Sequence, residues 1–257
     1  MAKKKKFPSS RNIIPILTVL LVISFSLFAY VKWATTNKAK LNPQKTQENL
    51  VQVVKPINLP KPSLSSRTSV ESAMQSRRTA RNFTETSLTK KLVGQMLWAG
   101  QGVTADWGGR TAPSAKSAYP LTLYLVANKI DGLDSGLYKY IPGEHEILHQ
   151  LVLVKSGDLK TITGDSVGQN AAKEAPAVVF ITGDMEKMAK AFDDKRNDNN
   201  VYLEAGHAAQ NMYLQAESLG LGMVTMAGFN GEKVKEVLGI PASETIIYAI
   251  PLGFPKK

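Results

Sequence analysis

From Asn199 to Leu219, apolar residues recur at spacings of three and four: Val201, Ala205, Ala208, Met212, Ala216 and Leu219. That rhythm predicts a helix with one buried face, stopped by Gly220. Its middle stretch, with Ala205, Gly206, Ala208 and Ala209, is small enough for another backbone to pack closely, which marks it as a central helix. Ser87–Ala99 reads as a second helix, with Thr86 or Ser87 as cap and Leu88, Leu92, Met96 and Ala99 on one face. Met185–Phe192 and Glu232–Leu238 read as shorter helices. Continuous apolar runs bounded by Pro or Gly predict strands at Leu121–Ala127, Ala177–Thr182 and Thr245–Leu252. Gly136–Tyr140 and Glu146–Val154 flank Pro142-Gly143 and read as a hairpin. There is no regular βαβ rhythm and no glycine-rich strand-to-helix loop, so a Rossmann domain is not expected. The class predicted is α+β, a central mixed sheet surrounded by helices.

The pattern changes at the N-terminus. Asn12 to Val31 is an uncharged run dominated by Ile, Leu, Val and Phe, about 30 Å long as a helix and so matched to a bilayer's hydrocarbon core. Lys3–Lys6 and Arg11 precede it, and Tyr30 and Trp33 sit at its far end, where interfacial aromatics gather. A cleaved signal peptide would have a shorter apolar region and a small-x-small site, and Ala29-Tyr30-Val31 does not fit that site. The expected organisation is a basic segment at 1–12, a single transmembrane anchor at 13–33, a flexible Pro-containing linker at 34–62 and one domain at 63–257. The distribution of basic residues favours a cytoplasmic N-terminus and an extracytoplasmic domain.

Charge then removes one class of partner. The 257 residues carry a net charge of +11. Residues 1–61 alone hold ten Lys, one Arg and one Glu, which leaves 21 basic and 20 acidic side chains for the rest. The domain therefore lacks the electrostatic footprint of a nucleic-acid binder. With no cysteine, thiolate chemistry, Cys-bound zinc and iron–sulfur clusters are excluded. His145-Glu146-Ile147-Leu148-His149 spells the zinc-protease string, but that chemistry requires a helix, and the surrounding alternation is that of a strand. No metal site is expected. Arg77-Arg78-Thr79-Ala80-Arg81 is the densest charge cluster in the domain. It reads either as a solvated helix end or as a phosphate cradle, since guanidinium forks match phosphate oxygens. Gly100-Gln101-Gly102 and Gly108-Gly109 lead into the loop Thr111–Pro120, rich in small residues and holding two prolines. That loop is either a tight connection or a place where a flat ligand meets the backbone.

In this order the strings resemble the nitroreductase-like FMN flavoprotein superfamily, and within it the SagB-type dehydrogenase branch. They are Ser76–Phe83, Leu97–Val103, Ala112–Ala115 with Tyr119-Pro120, Gly136–Tyr140, Ala209–Ala216 with Leu219–Gly222, and Pro251–Pro255. The resemblance implies a homodimer with FMN at the subunit interface. Arg77, Arg78, Thr79 and Arg81 would hold the phosphate and the polar edge of the ring. Pro113, Ser114 and Ala115 would line the isoalloxazine, and Met226, Ala227 and Gly228 would cover its other side with a backbone N–H near N5. Lys116 stands where the family often has Gly, and the chain stops at Lys257, short of a basic residue that many relatives place on the phosphate; Lys256 or Lys257 would have to substitute.

The function expected is a membrane-anchored FMN-dependent oxidoreductase passing hydride between flavin N5 and a small organic substrate. A quinone or another redox protein would be its electron partner if the domain is exported, and NAD(P)H if it is not. The alternative is a flavin-free, membrane-tethered binding module that keeps the fold, suggested by Lys116 and the short C-terminus.

Overall fold

The long apolar runs become the centre of a sheet with both faces covered. The computed structural model describes Lys32, residues 55–144 and residues 149–256. The strands are β1 (Ile57–Asn58), β2 (Leu88–Thr89), β3 (Leu121–Ala127), β4 (Ile130–Asp131), β5 (Gly136–Ile141), β6 (Gln150–Ser156), β7 (Ala177–Gly183), β8 (Gly222–Met223) and β9 (Thr245–Gly253). Seven of them form one sheet in the order β1-β6-β5-β3-β7-β9-β8. All of its ladders are antiparallel. Among the described residues parallel pairing enters only at its edge, through the isolated Thr79–Met223 bridge, and in the separate β2-β4 pair.

In β3 and β7 successive side chains enter different cores, which is why neither strand shows a polar alternation. Leu121, Leu123, Leu125, Val179 and Ile181 face one core, packed by α2 (Lys90–Gln101) and α6 (Asp198–Ser218). Tyr124, Val126, Val178 and Phe180 face the other, covered by α3 (Lys160–Val167), α4 (Asn170–Glu174) and α7 (Gly231–Leu238). Short helices α1 (Val70–Ser76) and α5 (Met185–Ala191) complete the set. Each fully buried Leu, Val or Phe stabilises the fold by roughly 1.5–3 kcal/mol, so these two strands carry much of the core.

Helix α6 buries Val201, Ala205, Ala208, Met212 and Ala216, the stripe read from periodicity. It ends where Gly220 takes φ +68° and the Leu221 N–H returns to the Ala216 carbonyl at 2.8 Å, a turn that a Cβ would strain. The second predicted helix starts later than expected. Leu88 and Thr89 pair with β4, and Thr89, rather than Thr86 or Ser87, caps α2 by accepting the Leu92 N–H at 3.3 Å.

Two further expectations are corrected. Among the described residues no helix is long and apolar enough to cross a membrane. The longest, α6, breaks its apolar face with Asp198, Glu204 and Glu217. The reading of a single-pass membrane protein with an extracytoplasmic domain is withdrawn on this finding. The span expected at 13–33 lies, apart from Lys32, outside the described residues, as do 1–12 and 34–54. The folded unit also begins by Lys55 rather than at residue 63. Ile57 and Asn58 pair with Leu151 and Gln150, and Leu59 is 2% exposed.

His149 fastens that N-terminal segment. Its Nε2 lies 2.9 Å from the Pro60 carbonyl and its Nδ1 2.9 Å from the Tyr140 hydroxyl. A carbonyl only accepts, so Nε2 carries the proton and Nδ1 accepts from Tyr140. Both nitrogens are thereby occupied within the fold. His145, Glu146, Ile147 and Leu148 lie outside the described residues. Burial lowers the His149 pKa, with the bond to Pro60 opposing. A depressed folded-state pKa gives stability that is complete above the ordinary value of about 6.5 and is lost as pH falls below it. The thermal midpoint should therefore decline from pH 7 towards pH 5, with a shallower slope in His149→Gln. Equal slopes would remove His149 as the cause.

Candidate active site

Two clusters of the expected site residues form, both mounted on α6. The first surrounds Tyr213. The Arg77 guanidinium lies over the Tyr213 ring, 4.9 Å from its centroid. The Thr79 and Tyr213 hydroxyls are 3.5 Å apart, and the Thr225 N–H donates to the Tyr213 hydroxyl at 3.2 Å. One tyrosine thus ties the arginine segment to the Met226-Ala227-Gly228 turn. That segment is held on both sides. The Ala80 N–H donates to the Met223 carbonyl at 3.0 Å, the Thr84 N–H to the Phe254 carbonyl at 2.8 Å, and the Lys256 N–H to the Asn82 carbonyl at 3.0 Å. Gly222 makes the approach possible, since a Cβ there would sit 2.5 Å from the Ala80 Cβ.

The four cationic-segment residues then differ in role. Arg78 is spent on the fold, its Nη1 donating to the Gln75 and Arg77 carbonyls at 2.9 Å each and closing the end of α1. Arg77 is half-buried, whereas Thr79 and Arg81 are exposed, and Arg81 forms no hydrogen bond or ion pair among the described residues. The C-terminal strand brings exposed Lys256 alongside Asn82, next to Arg81. Met226 is 4% exposed within the second core, and its N–H and carbonyl are both bonded to Ala249 at 2.9 Å, so it offers a ligand neither side chain nor main chain. Ala227 and Gly228 are exposed, and their N–H groups make no hydrogen bond among the described residues. A Cβ on Gly228 would meet nothing within 4 Å.

The second cluster is the loop bearing Pro113, Ser114 and Ala115. Glu204, 5% exposed on α6, accepts from the Ser114 hydroxyl at 3.0 Å and the Ala115 N–H at 2.8 Å. Ser114 Oγ in turn accepts the Tyr119 N–H at 2.8 Å, and Asn211 donates to the Thr111 carbonyl at 3.0 Å. Burial raises the Glu204 pKa, against the bonds from Ala115 and Ser114 and the charges of His207 and Arg110. Pro113 is left exposed.

Lys116, Ser117 and Tyr119 all take positive φ, at 51°, 53° and 46°, a conformation that side chains other than Gly, Asn and Asp seldom adopt. The Lys116 ammonium lies 4.5 Å from the Phe192 ring centroid and is therefore directed at Phe192. Lys116→Gly should relieve about 1–2 kcal/mol of backbone strain. It gives up an exposed cation–π contact of about 0.5–1 kcal/mol and the entropy by which a side chain restricts the unfolded chain, about 0.4–1 kcal/mol. The expected net change in denaturant midpoint is close to zero, whereas Lys116→Val should be clearly destabilising. A large loss in Lys116→Gly would contradict this account.

Sequence reasoning missed Tyr213 and Glu204, the two α6 side chains that organise the clusters. They are separated by about 14 Å along the helix, at 1.5 Å per residue. Among the described residues no group of three or more His, Asp or Glu could hold a metal ion.

Comparison with known proteins agrees with the fold. The nitroreductase family model matches residues 74–254. A Methanocaldococcus jannaschii protein described as a nitroreductase is 34% identical over 184 residues, covering 72% of this chain and 90% of its own. An NADH dehydrogenase of Thermus thermophilus is 26% identical over 117 residues, 35% of this chain and 57% of its own. Among solved structures, one from Ralstonia eutropha described as a nitroreductase has 27% identity and a TM-score of 0.66, over 81% of this chain and 93% of that one. Another from Anabaena variabilis has 27% identity and a TM-score of 0.63, over 73% of this chain but only 38% of that one. The chain therefore belongs to the nitroreductase family and is an oxidoreductase of that family.

Proposed function

We propose that this chain binds FMN and catalyses hydride transfer between a reduced nicotinamide nucleotide and a small organic substrate, as a homodimer. The observation that carries the reading is the Tyr213 cluster, where cations and a hydroxyl stand beside two open backbone donors. That donor set suits FMN. Arg77, Thr79 and Arg81, with Lys256 nearby, offer charge-assisted bonds to a phosphate. The unpartnered N–H groups of Ala227 and Gly228 offer donors for a polar ring edge, and the lack of a Cβ at Gly228 lets a flat group approach. FMN, when bound, supplies a hydride acceptor and donor at N5. The protein's part is to bind, orient and exclude water, and a main-chain donor at the reacting edge stabilises charge developing there.

The Glu204 cluster lies too far along α6 to share a compact cradle with Tyr213, so we assign Pro113, Ser114 and Ala115 to the flavin of a second copy. Exposed Val70 and Met74 on α1 and Tyr202 and Leu203 on α6 suit such an association. The Thermus relative's name supports a nicotinamide reductant. Lys116, directed at Phe192, and Lys256, beside Asn82, weigh against the flavin-free alternative. The finer placement in the SagB-type branch rests on the sequence strings alone, and it would make an azoline ring the substrate to be dehydrogenated. The test is NADH oxidation by FMN-loaded protein with a nitroaromatic acceptor. Turnover that depends on added FMN supports the reading, and bound FMN without turnover by any acceptor would overturn the activity.

A further inference from the structure

A second site lies where two central strands part. Strands β3 and β5 pair from Ala127–Gly136 to Tyr124–Lys139. Beyond that point Leu121–Leu123 pair with β7 and Tyr140–Ile141 with β6. The wedge between them is a cavity of about 300 Å³ whose lining includes Arg110, Tyr119, Lys139, Tyr140, Lys187 and Glu244.

Its charged groups differ in what they have left to offer. Glu244, buried, accepts from the Tyr124 hydroxyl at 2.9 Å and from the Thr182 hydroxyl. Lys139 stands 3.8 Å from it. Asp184, also on the lining, caps α5 through the Lys187 N–H at 2.8 Å, and Lys187 Nζ donates to the Tyr119 carbonyl at 2.9 Å. Arg110 is different. Its Nη1 donates to Gln101 Oε1 at 2.8 Å, and its guanidinium stacks 4.7 Å from the Tyr119 ring centroid. Among the described residues its buried Nε has no hydrogen-bond partner, Nη2 makes no hydrogen bond, and no carboxylate is in ion-pair contact with it. Burial accordingly holds the Arg110 pKa below its usual range, with Tyr119, Tyr140 and Glu204 opposing. The Tyr119 ring is kept over the guanidinium by a backbone with φ 46°, and its hydroxyl has no hydrogen bond among the described residues.

A half-buried guanidinium that feels the Glu204 carboxylate only from beyond ion-pair distance is incompletely compensated, because a buried charge is costly unless it is paired. We propose that this cavity binds a small organic carboxylate. Arg110 Nη2, which makes no hydrogen bond among the described residues, offers a charge-assisted donor to a carboxylate oxygen. Lys139, ion-paired with Glu244, and Lys187 offset the two lining carboxylates, Glu244 and Asp184, so the charge of Arg110 leaves the cavity net positive. Tyr119 and Pro120 give the ligand's carbon body an apolar wall. The site uses none of the residues assigned to FMN, so its occupancy does not depend on the flavin reading.

The test is calorimetric titration of the full chain with benzoate at fixed ionic strength, in FMN-loaded and FMN-free protein, with neutral benzamide as control. Expected is saturable benzoate binding in both forms, weakened about ten-fold or more in Arg110→Gln, as for a lost charged hydrogen bond. Lys139→Met, which leaves Arg110 and its stack intact, should weaken it too, and benzamide should bind at least as poorly. Absence of benzoate binding would overturn the proposal. So would binding that FMN abolishes, or affinity unchanged in folded Lys139→Met and Arg110→Gln proteins.

Discussion

Arg81→Ala is expected to lower FMN affinity by about ten- to a hundred-fold, the loss of one charge-assisted bond to phosphate, while leaving the thermal midpoint of FMN-free protein unchanged. The separation of the two effects follows from its surroundings. Arg81 is exposed and makes no hydrogen bond or ion pair among the described residues, so the fold loses nothing when it is removed. Neighbouring Arg77 would not give so clean a result, because its guanidinium also packs over Tyr213. Flavin fluorescence titration of wild type and variant reads the affinity directly. Unchanged affinity in Arg81→Ala would mean that the phosphate lies elsewhere and would remove the arginine segment from the site.

Glu204→Ala should produce the largest loss of stability among the site variants, about 2–3 kcal/mol. It removes one acceptor that serves both the Ser114 hydroxyl and the Ala115 N–H, and leaves partly buried donors without a partner. Glu204→Gln should cost about 1 kcal/mol or less, since the amide oxygen still accepts and the neutral side chain avoids the desolvation that raises the carboxyl pKa. The measurement is urea unfolding of the three proteins at pH 7. If Gln costs as much as Ala, the carboxylate charge holds the loop, and a balance of acceptor and burial is the wrong account.

The strands of the core were legible because their chemistry is local. Leu121–Ala127 is predicted and found with the same bounds, and Ala177–Thr182 and Thr245–Leu252 each gain one residue. The buried face of α6 was legible for the same reason. What escaped depends on partners distant in sequence. Residues 55–62, with their prolines, read as a tether, and only the bond from His149 to Pro60 and the pairing with β6 show that they belong to the sheet. Helix α3 has Gly164 in its interior and little amphipathic signal, and Gly164 is small because Lys173 of α4 packs on it.

The site was legible as a set of strings and hidden as an arrangement. Arg77, Thr79 and the Pro113–Ala115 loop were singled out, but the residues that position them were not. Glu204 did leave a signal, as an acid one step from Ala205 within the buried stripe of Val201 and Ala208, where an unpaired carboxylate would be costly. Tyr213, beside Met212 on the same helix, left none. Arg78 looked equivalent to its neighbours until its bonds to the Gln75 and Arg77 carbonyls were seen, and Met226 looked like a lid but is core.

The central claim is that this chain carries FMN. The most direct test is the visible absorption spectrum of the purified full chain, with chromatographic identification and quantitation of any released cofactor and titration with added FMN. The account predicts yellow protein, or protein that becomes yellow on reconstitution, with about one FMN per chain. Folded, colourless protein that fails to take up FMN would contradict it.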